Sequence, residues 1–284
     1  MEDCIKMKTV RALVLTGYGL NCDYETDYAL KLAGAESHRV HINELIMGEK
    51  WGSAAGLDDY QIVVFGGGFA WADDHGAGVI FAAKLRFNIG EQIERFIRQG
   101  KLVMGICNGF QCLVNLGLLP AFKNNYQERR VALLTNDHRN YINVWVKLRL
   151  NPQSPCVFTE NMDSIEVPVR HGEGKFTAEA EDIKQLFADN QVVAQYAKES
   201  GEPADGEWPL NPNGAMHDIA GICDPTGRIF GLMPHPEAFN HFTNHPNWTL
   251  KKEALIRAGK KMDNPEGDGI KLFRNAVEYI KKTF

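Results

Sequence analysis

The apolar run Leu102–Ile106 feeds directly into Cys107-Asn108-Gly109, with Gly105 and Gly109 flanking the cysteine. A short, wholly apolar run bounded by glycine reads as a buried strand, and Asn108 to Leu116 continues with a helical pattern. A strand that turns into a helix at a single residue needs small neighbours, because the chain bends sharply and projects the intervening side chain above the sheet edge. The arrangement that supplies such turns is a parallel sheet covered by helices.

The rest of the first half repeats this alternation. Val10 to Thr16 predicts a buried strand, and Asp23 can cap a helix that ends at Gly34. Val40 to Ile42 is a weak second strand; Gln61 to Phe65 is a third and runs into Gly66-Gly67-Gly68. Helices are expected at about Ala77–Phe87 and Glu91–Gln99. The second half reads as antiparallel. Val144, Val146, Leu148 and Leu150 alternate with Trp145, Lys147 and Arg149, as in a strand with one buried face. Ile165–Val169, Val192–Tyr196, Ile219–Cys223 and Ile229–Met233 are further strands, and polar loops span Lys123–Arg130 and Lys198–Asn213. Thr249–Lys261 is basic and helical in pattern. Asn264-Pro265-Glu266-Gly267 then breaks the chain before an amphipathic helix with Leu272, Phe273, Val277 and Ile280. Neither loop serves as a domain linker, so residues 1–284 are expected to form one α/β domain.

Composition narrows the class of partner. A formal net charge of -5 gives no broad attraction to nucleic acid or anionic lipid. No apolar run approaches the roughly 20 residues needed to span a bilayer, and Met1–Thr9 does not look like a secretory leader. Cys4, Cys22, Cys107, Cys112, Cys156 and Cys223 are scattered, without a CxxC pair, so reduced thiols in the cytoplasm are expected.

Three features carry chemistry. Cys107 starts a helix, whose free N–H groups favour a thiolate. Met233-Pro234-His235-Pro236-Glu237 follows an apolar strand; in extended chain His235 and Glu237 point the same way, so the carboxylate can hold the imidazole. Gly66-Gly67-Gly68-Phe69 can present backbone N–H groups to a developing oxyanion, with the Asn108 N–H as a second donor. Singly, each has a bland alternative: an inert buried cysteine, a surface turn with a stray histidine, a tight loop. Together they fall at the carboxyl ends of expected strands, where open α/β sheets carry their sites.

Other signals are weaker. Gly17-x-Gly19 lacks the third glycine of a dinucleotide loop, since Cys22 stands there, and no phosphate-binding G-x-x-x-x-G-K-[ST] string occurs. His171 and Glu173 lack a second pair of metal ligands at fixed spacing. The lysines at 251, 252, 260 and 261 form a solvated helix face or a docking surface.

The elbow, the glycine loop and the His-Pro-Glu turn together resemble the class I glutamine amidotransferases. Within that class the chain is similar to the branch that forms the glutaminase part of phosphoribosylformylglycinamidine synthases. The matching strings are Gly19-Leu20-Asn21-Cys22-Asp23, Gly67-Gly68-Phe69, Asp73, Gly76-Ala77-Gly78, Gly105 to Gln111, His171-Gly172-Glu173-Gly174, Asn211-Pro212-Asn213-Gly214, Met233 to Glu237 and Phe273-Arg274-Asn275. The resemblance implies a flavodoxin-like fold: a mostly parallel central sheet, helices on both faces and an antiparallel extension, with residues from about 240 to 284 a family-variable extension. It implies a Cys107-His235-Glu237 triad acting on glutamine. Gly67, Gly68 and Asn108 would supply oxyanion donors, and Gln111 would help to hold substrate. It also implies a cytoplasmic chain without a cofactor, working with a synthetase subunit that carries ATP and magnesium, with or without a small third subunit. The sequence departs from the family at Ala72 before Asp73, in the string Asn136 to Tyr141, and at Val144, where an arginine is expected. Two competing readings are a glutaminase serving another acceptor and a non-catalytic, flavodoxin-like thiol sensor or assembly protein.

Overall fold

The computed structural model describes residues 9–48, 56–260 and 265–284. Its first half contains β1 (Arg11–Thr16), α1 (Asp23–Leu32), β2 (Glu36–His41), α2 (Ile42–Met47), β3 (Ile62–Phe65), α3 (Val79–Arg98), β4 (Leu102–Ile106) and α4 (Asn108–Asn115). Then come β5 (Val131–Thr135), β6 (Ile142–Leu150), β7 (Ser164–His171), β8 (Glu173–Ala178), α5 (Ala180–Ala188) and β9 (Val192–Ala197). The chain closes with β10 (Ile219–Cys223), β11 (Ile229–Leu232), α6 (Trp248–Arg257) and α7 (Ile270–Thr283).

Nine strands form one sheet in the order β2-β1-β3-β4-β11-β10-β9-β6-β7. The block from β2 to β11 is parallel, and from β11 onward neighbours are antiparallel. This is the mostly parallel sheet with an antiparallel extension that the sequence predicts. Strands buried on both faces read as continuous apolar runs, and β3 and β4 are buried at every position. β6, between β9 and β7, keeps one wetter face: Val146, Leu148 and Leu150 are buried while Lys147 and Arg149 are partly exposed. Two groups of helices cover the sheet, α1 packing with α7 and α3 with α2 and α4. Phe110 and Leu113 of α4 are completely buried. Each such side chain contributes about 1.5–3 kcal/mol of apolar burial.

Several local expectations are corrected. Asp23 does not cap α1: Cys22 occupies that position without a side-chain capping bond, and Asp23 pairs with Arg39 at 2.8 Å. The two helices expected over 77–99 are one helix, α3, bent where Ile89 takes φ -134° beside Gly90. The second strand is longer than Val40–Ile42, and Ile42 begins α2, whose capping box joins His41 and Glu44. The antiparallel β5–β8 pair and α5 were not anticipated. Cys4, Lys261, Asn264 and the segment before Thr9 lie outside the described residues.

The carboxyl-terminal elements divide in two. α7 buries Ile270, Leu272, Phe273, Ala276, Val277 and Ile280 in the common core. α6 buries none of its residues; Lys251 and the nearby His245 share the Glu166 carboxylate on β7. Among the described residues no helix is long and apolar enough to cross a membrane.

Candidate active site

β3, β4 and β11 are parallel neighbours, with Phe65 opposite Gly105 and Ile106 opposite Leu232. The residues leaving their carboxyl ends, Gly66, Cys107 and Met233, therefore reach one rim together. Cys107 caps α4 with φ 52° and ψ -108°, and its N–H donates to Leu232 O at 2.8 Å. A non-glycine residue held at such angles costs on the order of 1–3 kcal/mol, which the surrounding packing must supply. The flanking glycines serve that packing rather than the turn itself. A Cβ on Gly109 would lie 1.9 Å from Phe65 O, and one on Gly105 would lie 2.7 Å from Leu113 Cδ1. Their absent side chains let α4 sit directly on β3 and β4. The Cys107 thiol is 5% exposed and donates weakly to Arg170 O at 3.7 Å.

His235 follows β11, and its N–H donates to Pro168 O at 2.8 Å. Pro236–Ala238 forms a 3-10 turn, so His235 and Glu237 meet across a turn rather than along extended chain. Nδ1 of His235 stands 2.6 Å from Glu237 Oε1, with both side chains buried. Burial opposes a charge on His235, but the Glu237 carboxylate, with the neighbouring Cys107 adding to it, outweighs this and raises the His235 pKa well above the ordinary value. His235 Nε2 and Glu237 Oε2 are buried without hydrogen-bond partners. Behind the turn, a Cβ on Gly269 would lie 1.9 Å from Pro236 O and one on Gly267 2.3 Å from Phe239 O. The start of α7 thus presses against the segment that carries His235 and Glu237.

The glycine loop lies against His235 and the chain leaving β1. A Cβ on Gly67 would meet His235 Cε1 at 2.7 Å and Cys22 Sγ at 3.1 Å. Gly67 O accepts from the N–H groups of Asn21 and Cys22, both at 3.2 Å. Gly68, at φ 150°, is so close to Gly19 O that a Cβ would stand 2.6 Å from it. Asn108 is the first residue of α4, so its N–H has no acceptor within the helix. Its side chain is wholly buried. Gln111 spends its amide on the protein, accepting from Asn108 Nδ2 at 3.0 Å and donating to Glu173 O.

Cys22 is a site neighbour that sequence reasoning missed. Its Sγ lies 3.9 Å from His235 Nδ1, and burial, the largest influence, raises its pKa. The available signal was the Gly19–Asp23 string leaving the first strand. Among the described residues, the ligand atoms of Cys22, His235 and Glu237 lie within 4.8 Å of one another. In this arrangement Glu237 Oε1 is already engaged by the imidazole.

His171 and Asn213 tie the neighbouring strings together. A Cβ on Gly174 would fall 2.3 Å from His171 Cε1, so the imidazole lies directly on the glycine backbone. Burial, followed by the charge of His235, pushes the His171 pKa down to about 3, leaving it neutral near pH 7. Asn213 Nδ2 donates to Gly174 O at 2.9 Å, and Asn136 Nδ2 donates to His171 O at 2.9 Å.

The chain matches the family model described as the CobB/CobQ-like glutamine amidotransferase domain over residues 9–280. It is 46% identical over 272 residues to phosphoribosylformylglycinamidine synthase subunit PurQ of Methanococcus maripaludis, covering 96% of this chain and 98% of that one. It is 43% identical over 276 residues to the protein of the same name from Dehalococcoides mccartyi, covering 97% and 100%. Among solved structures, a chain of PurLQS from Thermotoga maritima aligns with TM-score 0.64 and 30% identity, covering 96% of this chain and all of that one. With a match that runs from before β1 into the last helix, and with cysteine, histidine and glutamate gathered at one sheet rim, this chain belongs to the CobB/CobQ-like glutamine amidotransferase family.

Proposed function

We propose that the chain is the glutaminase subunit of a phosphoribosylformylglycinamidine synthase, hydrolysing glutamine to glutamate and ammonia for an ATP-dependent synthetase in purine biosynthesis. The observation that carries the chemistry is the strained Cys107 at the head of α4, on the same rim as the buried His235–Glu237 pair. The similarity to PurQ proteins over nearly the whole chain carries the acceptor.

In this reading the Cys107 thiolate attacks the side-chain amide carbon of glutamine. Negative charge gathers on the amide oxygen, where the N–H groups of Gly68 and Asn108 can receive it, with Gly67 completing the loop. As the intermediate collapses, its amino group takes a proton from the His235 imidazolium and leaves as ammonia, and the acyl group remains as a thioester on Cys107. The neutral imidazole then draws a proton from water, and the resulting hydroxide attacks the thioester to release glutamate. Glu237 fixes the His235 ring and stabilises its charged form. Gln111 acts by bracing Asn108 and β8, since both ends of its amide are used there. The chain itself needs no cofactor; ATP and magnesium belong to the synthetase, and the complex works in the cytoplasm.

The purified chain, mixed with its synthetase partner, glutamine, ATP, magnesium and formylglycinamide ribonucleotide, should form the amidine. Cys107→Ala should abolish glutamine-dependent synthesis while added ammonium restores it. Undiminished glutamine-dependent turnover by the alanine variant would remove Cys107 from the mechanism.

A further inference from the structure

The Asn108 amide joins two segments that the proposed reaction needs to hold in register. Its Oδ1 accepts from Ala70 N at 3.3 Å, and its Nδ2 donates to Asp73 Oδ1 and to Gln111 Oε1, both at 3.0 Å. The oxygen and both amide protons are thereby engaged, which fixes the orientation of the group. The segment it grips is conformationally strained: Trp71, Ala72 and Asp73 take φ of 54°, 57° and 54° in succession. Left-handed conformations are unfavourable for residues with a Cβ, so three in a row require ties from outside the segment. One tie comes from the turn after β1, where Trp71 N donates to Tyr18 O at 2.8 Å. Further along, Ala77 N donates to Glu173 Oε2 at 3.1 Å. The Asn108–Asp73 bond lies between these ties.

We propose that Asp73 is a positioning residue for the oxyanion site: acting through the Asn108 side chain, it locks the turn after Gly68 so that the Gly68 and Asn108 N–H groups keep a fixed separation. This rests on the reading of those two N–H groups as the oxyanion donors. Asn108 thus carries one donor on its backbone and steadies the other with its side chain. Asp73 never touches substrate in this account; its effect is on how well the donors fit the transition state.

The charge state of Asp73 provides a signature. Burial, then the nearby Glu173 carboxylate at the start of β8, raises its pKa to about 6, while the Asn108 bond pulls the other way. Asp74 and His75 flank it on its own segment. Above that pH the carboxylate accepts fully from Asn108; below it the protonated acid is a weaker acceptor.

The test uses the complete complex with the synthetase, comparing wild type, Asp73→Ala and Asp73→Asn. Asp73→Ala should lower kcat for glutamine-dependent synthesis roughly 10- to 100-fold, with KM for glutamine changed less than about threefold. Asp73→Asn, whose amide oxygen can accept the same bond, should recover most of kcat and lose the wild-type activity step centred near pH 6. Ammonium-dependent synthesis should be equal in all three, which certifies folding and assembly. The inference is overturned if Asp73→Ala keeps its kcat, if its loss lies wholly in KM, or if Asp73→Asn retains the step near pH 6. Should Asp73→Ala fail to assemble, the Asp73→Asn profile alone decides. A wild-type complex active with ammonium but inert with glutamine would instead refute the glutaminase reading.

Discussion

His235 Nδ1 and Glu237 Oε1 are separated by 2.6 Å in a pair that is almost sealed from solvent, each side chain no more than 2% exposed. A buried ion pair is weak evidence for stability when whole, yet removing one partner strands a charge and typically costs about 3–5 kcal/mol. Glu237→Ala should therefore unfold at markedly lower temperature. Glu237→Gln keeps the shape but loses the charge, and should reduce glutamine-dependent kcat by roughly 100- to 10,000-fold. The pH dependence has a definite sign. His235 has its folded pKa raised, so the pair's stabilisation is complete below the unfolded histidine pKa and fades as pH rises through the folded value. The gap in melting temperature between wild type and Glu237→Gln should be wider at pH 6 than at pH 10, as thermal melts would show.

Gly109 and Gly90 look alike in sequence and differ in their surroundings. A Cβ on Gly109 would lie 1.9 Å from Phe65 O, whereas one on Gly90 would meet nothing within 4 Å. Gly109→Ala must push α4 off β3 and should cost more than about 3 kcal/mol or prevent folding. Gly90→Ala should be neutral or stabilise by up to about 1 kcal/mol, limited by the bend at Ile89. Denaturant midpoints distinguish the two outcomes.

In the parallel half, β3 and β4 were legible because each is a short apolar run leading into glycine or cysteine, a pattern imposed by burial on both faces, whereas the polar β2 gave only a weak signal. The β5–β8 pair escaped notice because β8 carries Glu173, Lys175 and Thr177 on a partly wet face and β5 ends in exposed Leu134 and Thr135. Two strands that stabilise each other across forty residues of chain leave little local signal. At the site, Cys107, His235 and Glu237 could be read because the chain chemistry around them is distinctive. Cys22 could not, since its importance lies in a 3.9 Å approach to His235 from a residue more than 200 positions away. The Asn108–Asp73 tie was hidden for the same reason: only folding brings β4's exit against the turn after Gly68.

His171 gives the fold an acid-sensitive joint. Burial holds its pKa near about 3, so the unfolded chain binds a proton over a pH range where the folded chain does not. Stability then rises with pH up to the ordinary histidine pKa, and at pH 5 this one group costs roughly 2 kcal/mol relative to pH 7. Replacing it by glutamine loses packing on Gly174 at every pH, but should flatten the fall in melting temperature between pH 6.5 and 5. An unchanged slope would assign the acid sensitivity to other groups.

The most direct measurement of the central claim is covalent labelling of the assembled complex with a glutamine-analogue electrophile, read by peptide mass spectrometry. Two thiols flank the same imidazole region, so the result discriminates sharply. One adduct per chain on Cys107, blocked by glutamine and absent from Cys107→Ala, is the predicted result; an adduct on Cys22 with Cys107 unmodified would contradict it.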